Sequence, residues 1–530
     1  MKPFLKLFLC TFLLCFLGSA VYAQEVQIPI IPYPNQLSLL KGKVDFSKGY
    51  HLSGNSNQLK TLNEALKGLG ILKDNSRKGI HVRILIEESN QNSEGYEMSI
   101  GKGAVEIKAC SEQGVFYAIQ SLRQLLMKDK SVSAMYIKDE PAFKWRSFML
   151  DEARYFQGKE TVKKLLDDMA LLKMNRFHWH LTNDAGWRIE IKAYPLLTSI
   201  GSKRDSTQIN YQGKKWKSEK FDGREHSGYY TQEDIKEIIA YASARHISII
   251  PEISMPGHTS AAIASYPFLG VNKQPIQVPV KFGVEKTVLD VSDERAIHFF
   301  RQVLKEVSQL FPSEYIHIGG DEVKFDQWKQ SKPVEAYMRK NAISNFYDLQ
   351  VHFTNGISQY VADSLKKRII GWNEILGKNV HEWSQDDNAN TSLAKSAIVQ
   401  FWKGEAKDLL YGIERGYEII NSDHKFTYLD YTYEQISLKK AYEFHPVPEG
   451  ITEDRQKLII GLGAQMWGEW TPSGKEVIYQ VYPRIAAYAE SGWTNRTNKD
   501  YLRFENNVQN LAAYWKSRKY ELPSVITYQK

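Results

Sequence analysis

Cysteine is scarce in this chain, with three in 530 residues at Cys10, Cys15 and Cys110. Two of the three fall inside an apolar N-terminal run, so a disulfide framework is excluded for the remainder of the chain. Basic blocks are missing as well. The 69 lysines and arginines against 61 aspartates and glutamates give a formal charge of +8. The basic runs stay short, as at Lys214-Lys215, which removes the usual footprint of a nucleic-acid partner. Beyond the N-terminus no segment reaches the roughly 18 consecutive apolar residues of a membrane helix, so no stable membrane span is expected.

The N-terminus itself reads as a secretory signal over residues 1–23. Lys2 and Lys6 supply positive charge, Leu7 to Leu17 is apolar, and Val21-Tyr22-Ala23 is a cleavage site of the small-residue type. Cleavage near Ala23 implies a periplasmic or secreted protein. Neither Cys10 nor Cys15 follows a small residue as a lipoprotein signal requires. Aromatics are plentiful, with 12 Trp, 30 Tyr and 23 Phe. At strand ends such rings are the usual floor for a sugar, whose C–H face stacks on them.

A mass of 61.1 kDa calls for two or three domains. Residues 24–140 read as a small α+β domain. It opens on a proline-bounded extended segment, has strands near 81–86, 96–100 and 105–109, carries apolar residues at helical spacing over 115–126, and ends at Asp139-Glu140-Pro141. From there to 495 strand and helix alternate. Strands are expected at 147–150, 176–182, 247–253, 315–318, 369–372, 397–401, 418–421 and 459–466, with helices at 161–173, 232–245, 292–309, 333–366 and 475–490. That rhythm gives an α/β fold with a closed (β/α)8 TIM barrel. An open doubly wound sheet would announce a nucleotide site by a Gly-rich turn after its first strand; here stands Asp151-Glu152-Ala153-Arg154. Residues 496–530 form a helical extension expected to pack on the barrel.

In such a barrel the active site lies at the C-terminal ends of the strands. Those ends carry Arg154; His178-Trp179-His180 with Asn183-Asp184; Glu252 and His258; His317 with Asp321-Glu322; Trp372 and Glu374; Trp402; Asp423, Tyr428 and Asp430; and Trp467 and Glu469. A purely structural barrel has no need of that set. Gly319-Gly320 frees the chain from the strand pleat, so the Asp321 and Glu322 carboxylates can lean into one site, where two close acids push their pKa values apart. His178 and His180 share a strand face, and His258, His317, Asp184 and Asp423 could complete a metal cage. The tryptophans and the carboxylate-rich rim fit a sugar better, and the two histidines read as hydrogen-bonded scaffold. No metal or cofactor is expected. The insertions 185–228 and 424–457 are expected to form the rims of the pocket.

In their order along the chain, Asp151-Glu152-Ala153-Arg154, His178 to Asp184, Pro251 to His258, His317 to Glu322, Gly371-Trp372-Asn373-Glu374, Tyr428-Leu429-Asp430 and Trp467-Gly468-Glu469 resemble the motifs of the family 20 glycoside hydrolases, the β-N-acetylhexosaminidases. The resemblance implies an exo-acting retaining enzyme that removes terminal β-linked GlcNAc or GalNAc from an oligosaccharide or glycoconjugate. The substrate's own acetamido oxygen serves as nucleophile, an exception to the two-carboxylate scheme. By position, Glu322 is then the acid and base, Asp321 orients the acetamido N–H, Tyr428 bonds its carbonyl, and His258 tunes Glu322. Trp372, Trp402 and Trp467 line the acetamido and ring pocket, and Arg154, Asp184, Asp430 and Glu469 bind the sugar. The small domain resembles the family's non-catalytic domain.

The sequence departs from the pattern at Asn183 and Ser254, where aspartate is common, and at Ala185, where glutamine is frequent. An amide cannot stabilise an imidazolium as a carboxylate does. The resemblance implies that the residue at 183 supports His258, so that histidine is expected to be more easily neutral, with a displaced pH optimum or a subsite adapted to an unusual substrate. Two further readings stay open: a retaining glycosidase with Glu374 or Asp423 as nucleophile, and a weakly active glycan-binding protein on the same scaffold.

Overall fold

A computed structural model describes residues 27–524 apart from 75, 77, 89–91 and 385–386; the expected signal segment lies outside the described residues. The small domain is a six-stranded sheet. Its strands are β1 (Gln36–Asp45), β2 (Tyr50–Gly54), β3 (Ile80–Ile86), β4 (Tyr96–Gly101), β5 (Ala104–Ala109) and β6 (Ser131–Asp139), arranged 1-6-4-5-3-2. β4 and β5 alternate buried and part-exposed residues, as a sheet with one covered face requires. The cover is the helix Glu112–Leu126, whose Ser111 side chain accepts from the Gln113 and Gly114 amides. Strands β1, β2 and β6 and the helix Leu59–Gly68 have no counterpart in the sequence reading. β1 is mostly exposed and carries Gly42 and three lysine or aspartate positions near its end, so it lacks the alternation that marks a half-buried strand.

The second unit is a closed barrel of eight parallel strands, β7 (Trp145–Asp151), β8 (Arg176–His180), β9 (Ser248–Glu252), β10 (Tyr315–His317), β11 (Arg368–Trp372), β12 (Ile398–Phe401), β13 (Glu418–Asn421) and β14 (Ile459–Met466). They follow one another around the barrel, and β14 pairs with β7 to close it. All seven residues of β7 and all eight of β14 are buried, the mark of strands covered on both faces. Two helical expectations are corrected. The region 333–366 divides into helices Lys332–Lys340 and Phe346–Leu365, parted by a turn in which Ala342 has φ +53°. The helix expected at 475–490 divides at Pro483 into Gly474–Val481 and Arg484–Trp493, because proline cannot donate within a helix.

The barrel interior is layered. Trp145, Ile250, Ile370, Ile398, Ile420 and Ile460 fill its lower end. At the upper end the register sets Asp151, His180, Glu252 and His317 side by side on neighbouring strands. This polar layer therefore stands on an apolar plug. Helix Tyr501–Ser517 lies against the barrel, where the following Arg518 reaches Asp168 Oδ1 through Nη1 at 2.7 Å, and against the small domain, where Asn507 Nδ2 donates to the Ile28 carbonyl at 2.8 Å. The small domain is tied to the barrel by buried ion pairs, Arg146–Glu94 at 2.7 Å and Lys173–Asp139 at 3.0 Å.

Candidate active site

A cavity of about 530 Å3 opens at the upper end of the barrel, lined by Arg154, Asp321, Glu322, Trp402, Tyr428, Asp430, Trp467 and Glu469 among others. The turn after β10 brings the two acids into it. Gly319 and Gly320 have φ +69° and +89°, and a Cβ on Gly320 would stand 2.4 Å from Ile375 Cγ2, so both the left-handed backbone and the close approach require glycine. Glu322 itself has φ +51° and His258 +54°, a conformation that costs a residue with a Cβ about 1–3 kcal/mol and clusters at functional sites.

His258 joins the acids. Its Nδ1 lies 2.7 Å from Asp184 Oδ2, and its Nε2 lies 3.3 Å from Glu322 Oε2 and 3.7 Å from Asp321 Oδ2. Burial opposes its charge, but Asp321, Asp184 and Glu322 outweigh it and hold the imidazole well above its ordinary proton affinity. For Glu322 burial raises the pKa, and the His258 bond and charge more than reverse this, leaving it lowered. Asp321 is pushed up to about 7 by burial, opposed by His258 and reinforced by Glu374, Glu252 and Glu322. Asp184 is in turn fixed by Ser260, whose amide donates to Oδ1 at 3.0 Å and whose hydroxyl donates to the same oxygen at 2.5 Å.

This overturns the expectation built on Asn183. The carboxylate behind His258 is the next residue, Asp184, and His258 is held charged rather than released. Asn183 Nδ2 faces His180 Nε2 at 3.1 Å instead. Adjacent residues on an extended turn point to opposite sides, which is why a shift of one exchanges the partners. Ser254 is spent on Thr182: its amide donates to the Thr182 hydroxyl and its own hydroxyl to the Thr182 carbonyl, each at 3.0 Å. Asp184, expected against the sugar, stands one layer behind the cavity.

Beneath the acids lies a buried polar knot around Glu252. His178 Nε2 and His180 Nδ1 approach its Oε2 at 2.7 and 2.8 Å, and Trp372 Nε1 donates to Oε1 at 3.0 Å. Burial works against this carboxylate, yet His180, His317 and His178 hold it well below its ordinary range. Two sets of side chains, His178–Glu252–His317 and His258–Asp321–Glu322, bring ligand-type atoms within 4.8 Å of one another. In both, histidine–carboxylate contacts account for the close spacing. Trp372 is 1 % exposed and packs under Trp467 with ring centres 5.8 Å apart, so it supports the cavity floor from below. Trp179 faces away, against Tyr230 at 4.6 Å.

The far wall is a charge cluster. Arg154 Nη1 bonds Asp151 Oδ2 at 3.0 Å, and its Nε stands 3.2 Å from Glu469 Oε1, with the guanidinium 5.0 Å over Trp467. Asp430 is pushed up to about 8 by burial and then by Glu469, and its Oδ1 is buried without a hydrogen-bond partner. An oxygen left so is poised for a ligand hydroxyl. Trp402 and Tyr428 stand parallel, 6.0 Å between centres with planes 9° apart. Neither acid named as an alternative nucleophile is free. Glu374 accepts from His381 Nε2 at 2.8 Å and from Trp402 Nε1 at 3.0 Å. Asp423 caps the short helix His424–Thr427, accepting from the Lys425 amide at 3.0 Å, and does not line the cavity.

Both expected rims contribute: Lys215 and Trp216 from the first insertion, Tyr431 and Gln435 from the second. The sequence reading missed Gly283, Val284 and Trp470. Trp470 meets Trp216 at 5.3 Å and Phe282 at 5.5 Å, and Ala185 belongs to the same cluster. The adjacency of Trp470 to Glu469 was the signal available for it; the loop holding Gly283 has none.

Known proteins resemble this chain over both of its units. Residues 143–496 match the model of the glycosyl hydrolase family 20 catalytic domain, and residues 27–140 match that of the family's domain 2. A beta-hexosaminidase of Porphyromonas gingivalis is 33 % identical over 94 % of the chain and 66 % of its own length, so the chain spans just under two thirds of that relative. A beta-hexosaminidase of Vibrio furnissii is 33 % identical over 89 % of the chain and 79 % of its own. Among solved structures, the exo beta-N-acetylglucosaminidase of Vibrio harveyi, bound to N-acetylglucosamine, superposes with a TM-score of 0.79 at 28 % identity, covering 94 % of this chain and 78 % of that one. The beta-N-acetylhexosaminidase of Bacteroides fragilis gives 0.77 at 28 % identity, covering 93 % and 96 %.

Proposed function

The chain belongs to glycosyl hydrolase family 20, and from that premise we propose that it is an exo-acting, retaining β-N-acetylhexosaminidase whose substrate supplies the attacking oxygen. One observation carries the reading. An acetamido arm needs an acceptor for its N–H, a donor for its carbonyl and an apolar wall for its methyl. Asp321, the Tyr428 hydroxyl and the rings of Trp402 and Trp467 line a single cavity that also holds Glu322.

The chemistry follows from those positions. Asp321 accepts the acetamido N–H and directs the carbonyl oxygen at the anomeric carbon. As the oxygen attacks, the glycosidic bond breaks and its oxygen takes the proton shared by Glu322 and His258, leaving an oxazolinium ion. Glu322, now a carboxylate, draws a proton from water, and the resulting hydroxide opens the ring with net retention. Arg154, Asp430 and Glu469 hold the hydroxyls of the terminal sugar, the guanidinium through charge-assisted bonds.

A panel of aryl β-glycosides tests this. GlcNAc and GalNAc substrates should turn over, glucose should not, and a thiazoline mimic of the intermediate should inhibit. Glu322→Gln should lower kcat about 10²–10⁴-fold while sugar binding persists. Turnover of glucosides without thiazoline inhibition would favour a protein nucleophile instead. We also infer export, on the pattern of residues 1–23; mass spectrometry of the exported protein should find a new N-terminus near Gln24.

A further inference from the structure

Trp402 is held more firmly than a pocket wall requires. Its amide donates to Asn373 Oδ1 at 2.9 Å, and its indole Nε1 donates to both oxygens of Glu374 at 3.2 and 3.0 Å. Glu374 is 2 % exposed and takes one further donor, His381 Nε2 at 2.8 Å. His381 comes from the loop after β11 and is itself 5 % exposed. Its other nitrogen, Nδ1, lies 3.5 Å from Lys403 Nζ. An ammonium only donates, so Nδ1 accepts and the ring proton sits on Nε2, aimed at Glu374. On its outer face the imidazole stacks on Trp383, with ring centres 4.6 Å apart and planes 19° apart. None of these contacts touches a reacting atom, yet together they fix the plane of one cavity wall.

We propose that Glu374 and His381 are positioning residues that set the size of the N-acyl pocket by locking the Trp402 indole, and that the enzyme's preference for an acetyl over a longer acyl arm depends on this lock. The inference rests on the reading of Trp402 as a wall of the acetamido pocket. A buried carboxylate held by two N–H donors, one of them shared between its oxygens, keeps its orientation; with one donor removed, it can turn toward other partners and release the indole. A freed indole then yields to a larger acyl group while holding the acetyl group less well.

The test compares aryl β-glucosaminides carrying N-acetyl and N-butanoyl groups. In His381→Leu, which cannot donate, the ratio of kcat/KM for acetyl over butanoyl should fall about tenfold, the worth of one charge-assisted hydrogen bond. In His381→Gln, which keeps an N–H donor near the same place, the ratio should stay close to that of the unaltered enzyme. Glu374→Gln keeps the volume but offers one acceptor oxygen instead of two, and should move the ratio in the same direction; it carries the test if His381→Leu does not fold. An unchanged ratio in folded His381→Leu or Glu374→Gln overturns the inference, even if kcat/KM falls for both substrates alike. Failure of the unaltered enzyme to cleave the N-acetyl substrate strikes the proposed function instead.

Discussion

His258 stands between two acids, with Nδ1 2.7 Å from Asp184 Oδ2 and Nε2 3.3 Å from Glu322 Oε2. Both nitrogens face carboxylates, so the arrangement favours the imidazolium, and the proton available to Glu322 is the one this pair shares. A histidine raised by neighbouring anions keeps its proton to higher pH. Asp184→Asn removes one anion, so the proton should be lost at lower pH. The alkaline limb of the kcat/KM profile should move about one unit to lower pH, with kcat down roughly ten- to a hundredfold. Asn183→Asp, whose side chain faces His180, should leave that limb where it is. The two pH–rate profiles together decide whether Asp184 or Asn183 governs His258.

Asp321 gives the opposite limb. Burial first, and then Glu374, Glu252 and Glu322, push its carboxyl up to about 7 against the pull of His258. Its proposed task, accepting the acetamido N–H, requires the ionised form. In the free enzyme that form is lost as pH falls through about 7, so kcat/KM should decline on the acid side there. In the complex the N–H bonds the carboxylate and favours its charge, so the acid limb of kcat should lie at lower pH than that of kcat/KM. Coincident acid limbs in the two profiles would count against this role.

The barrel was legible because its evidence is local. Most of β7 to β14 are short, largely apolar runs bounded by polar or turn residues, and their C-terminal ends carry the candidate site residues within a few positions. Gly319-Gly320 announced a turn in which two acids change sides, and both glycines take left-handed φ. What was not legible was partnership across loops. From sequence alone Asn183 and Asp184 are equivalent candidates for His258, since the turn that aims one inward and the other at His180 is set by tertiary contacts. Trp372 and Trp402 looked alike at strand ends, yet one lies under the floor and the other forms a wall. His381 had no motif at all; only the return of its loop brings it to Glu374. In the small domain β1 went unread because its pairing with β6, rather than any alternation of its own, makes it a strand.

A second relationship concerns stability. Asp168, on the first barrel helix, is fully buried and accepts four donors: Tyr482 and Tyr520 hydroxyls at 2.8 Å, Arg518 Nη1 at 2.7 Å and Trp515 Nε1 at 3.3 Å. Three of them belong to the segment C-terminal to the barrel, so one carboxylate latches the C-terminal helix. Asp168→Ala leaves three buried N–H or O–H groups without this acceptor, while Arg518 keeps Asp167 Oδ2 at 3.3 Å, and loss of one partner of such a network costs about 3 kcal/mol. The pH dependence has a definite sign. Burial, partly offset by Arg518, raises the Asp168 pKa to about 6, above its unfolded value. The folded state therefore binds this proton more tightly, and this group's contribution to stability declines as pH rises from about 4 to about 6. Thermal unfolding of Asp168→Ala should show a lower Tm and should lack this component. Limited proteolysis should cut first between residues 496 and 524. A variant that unfolds at the parental temperature, or is cut first in the small domain, would mean that apolar packing of Trp515 and Tyr520 holds the helix without the latch.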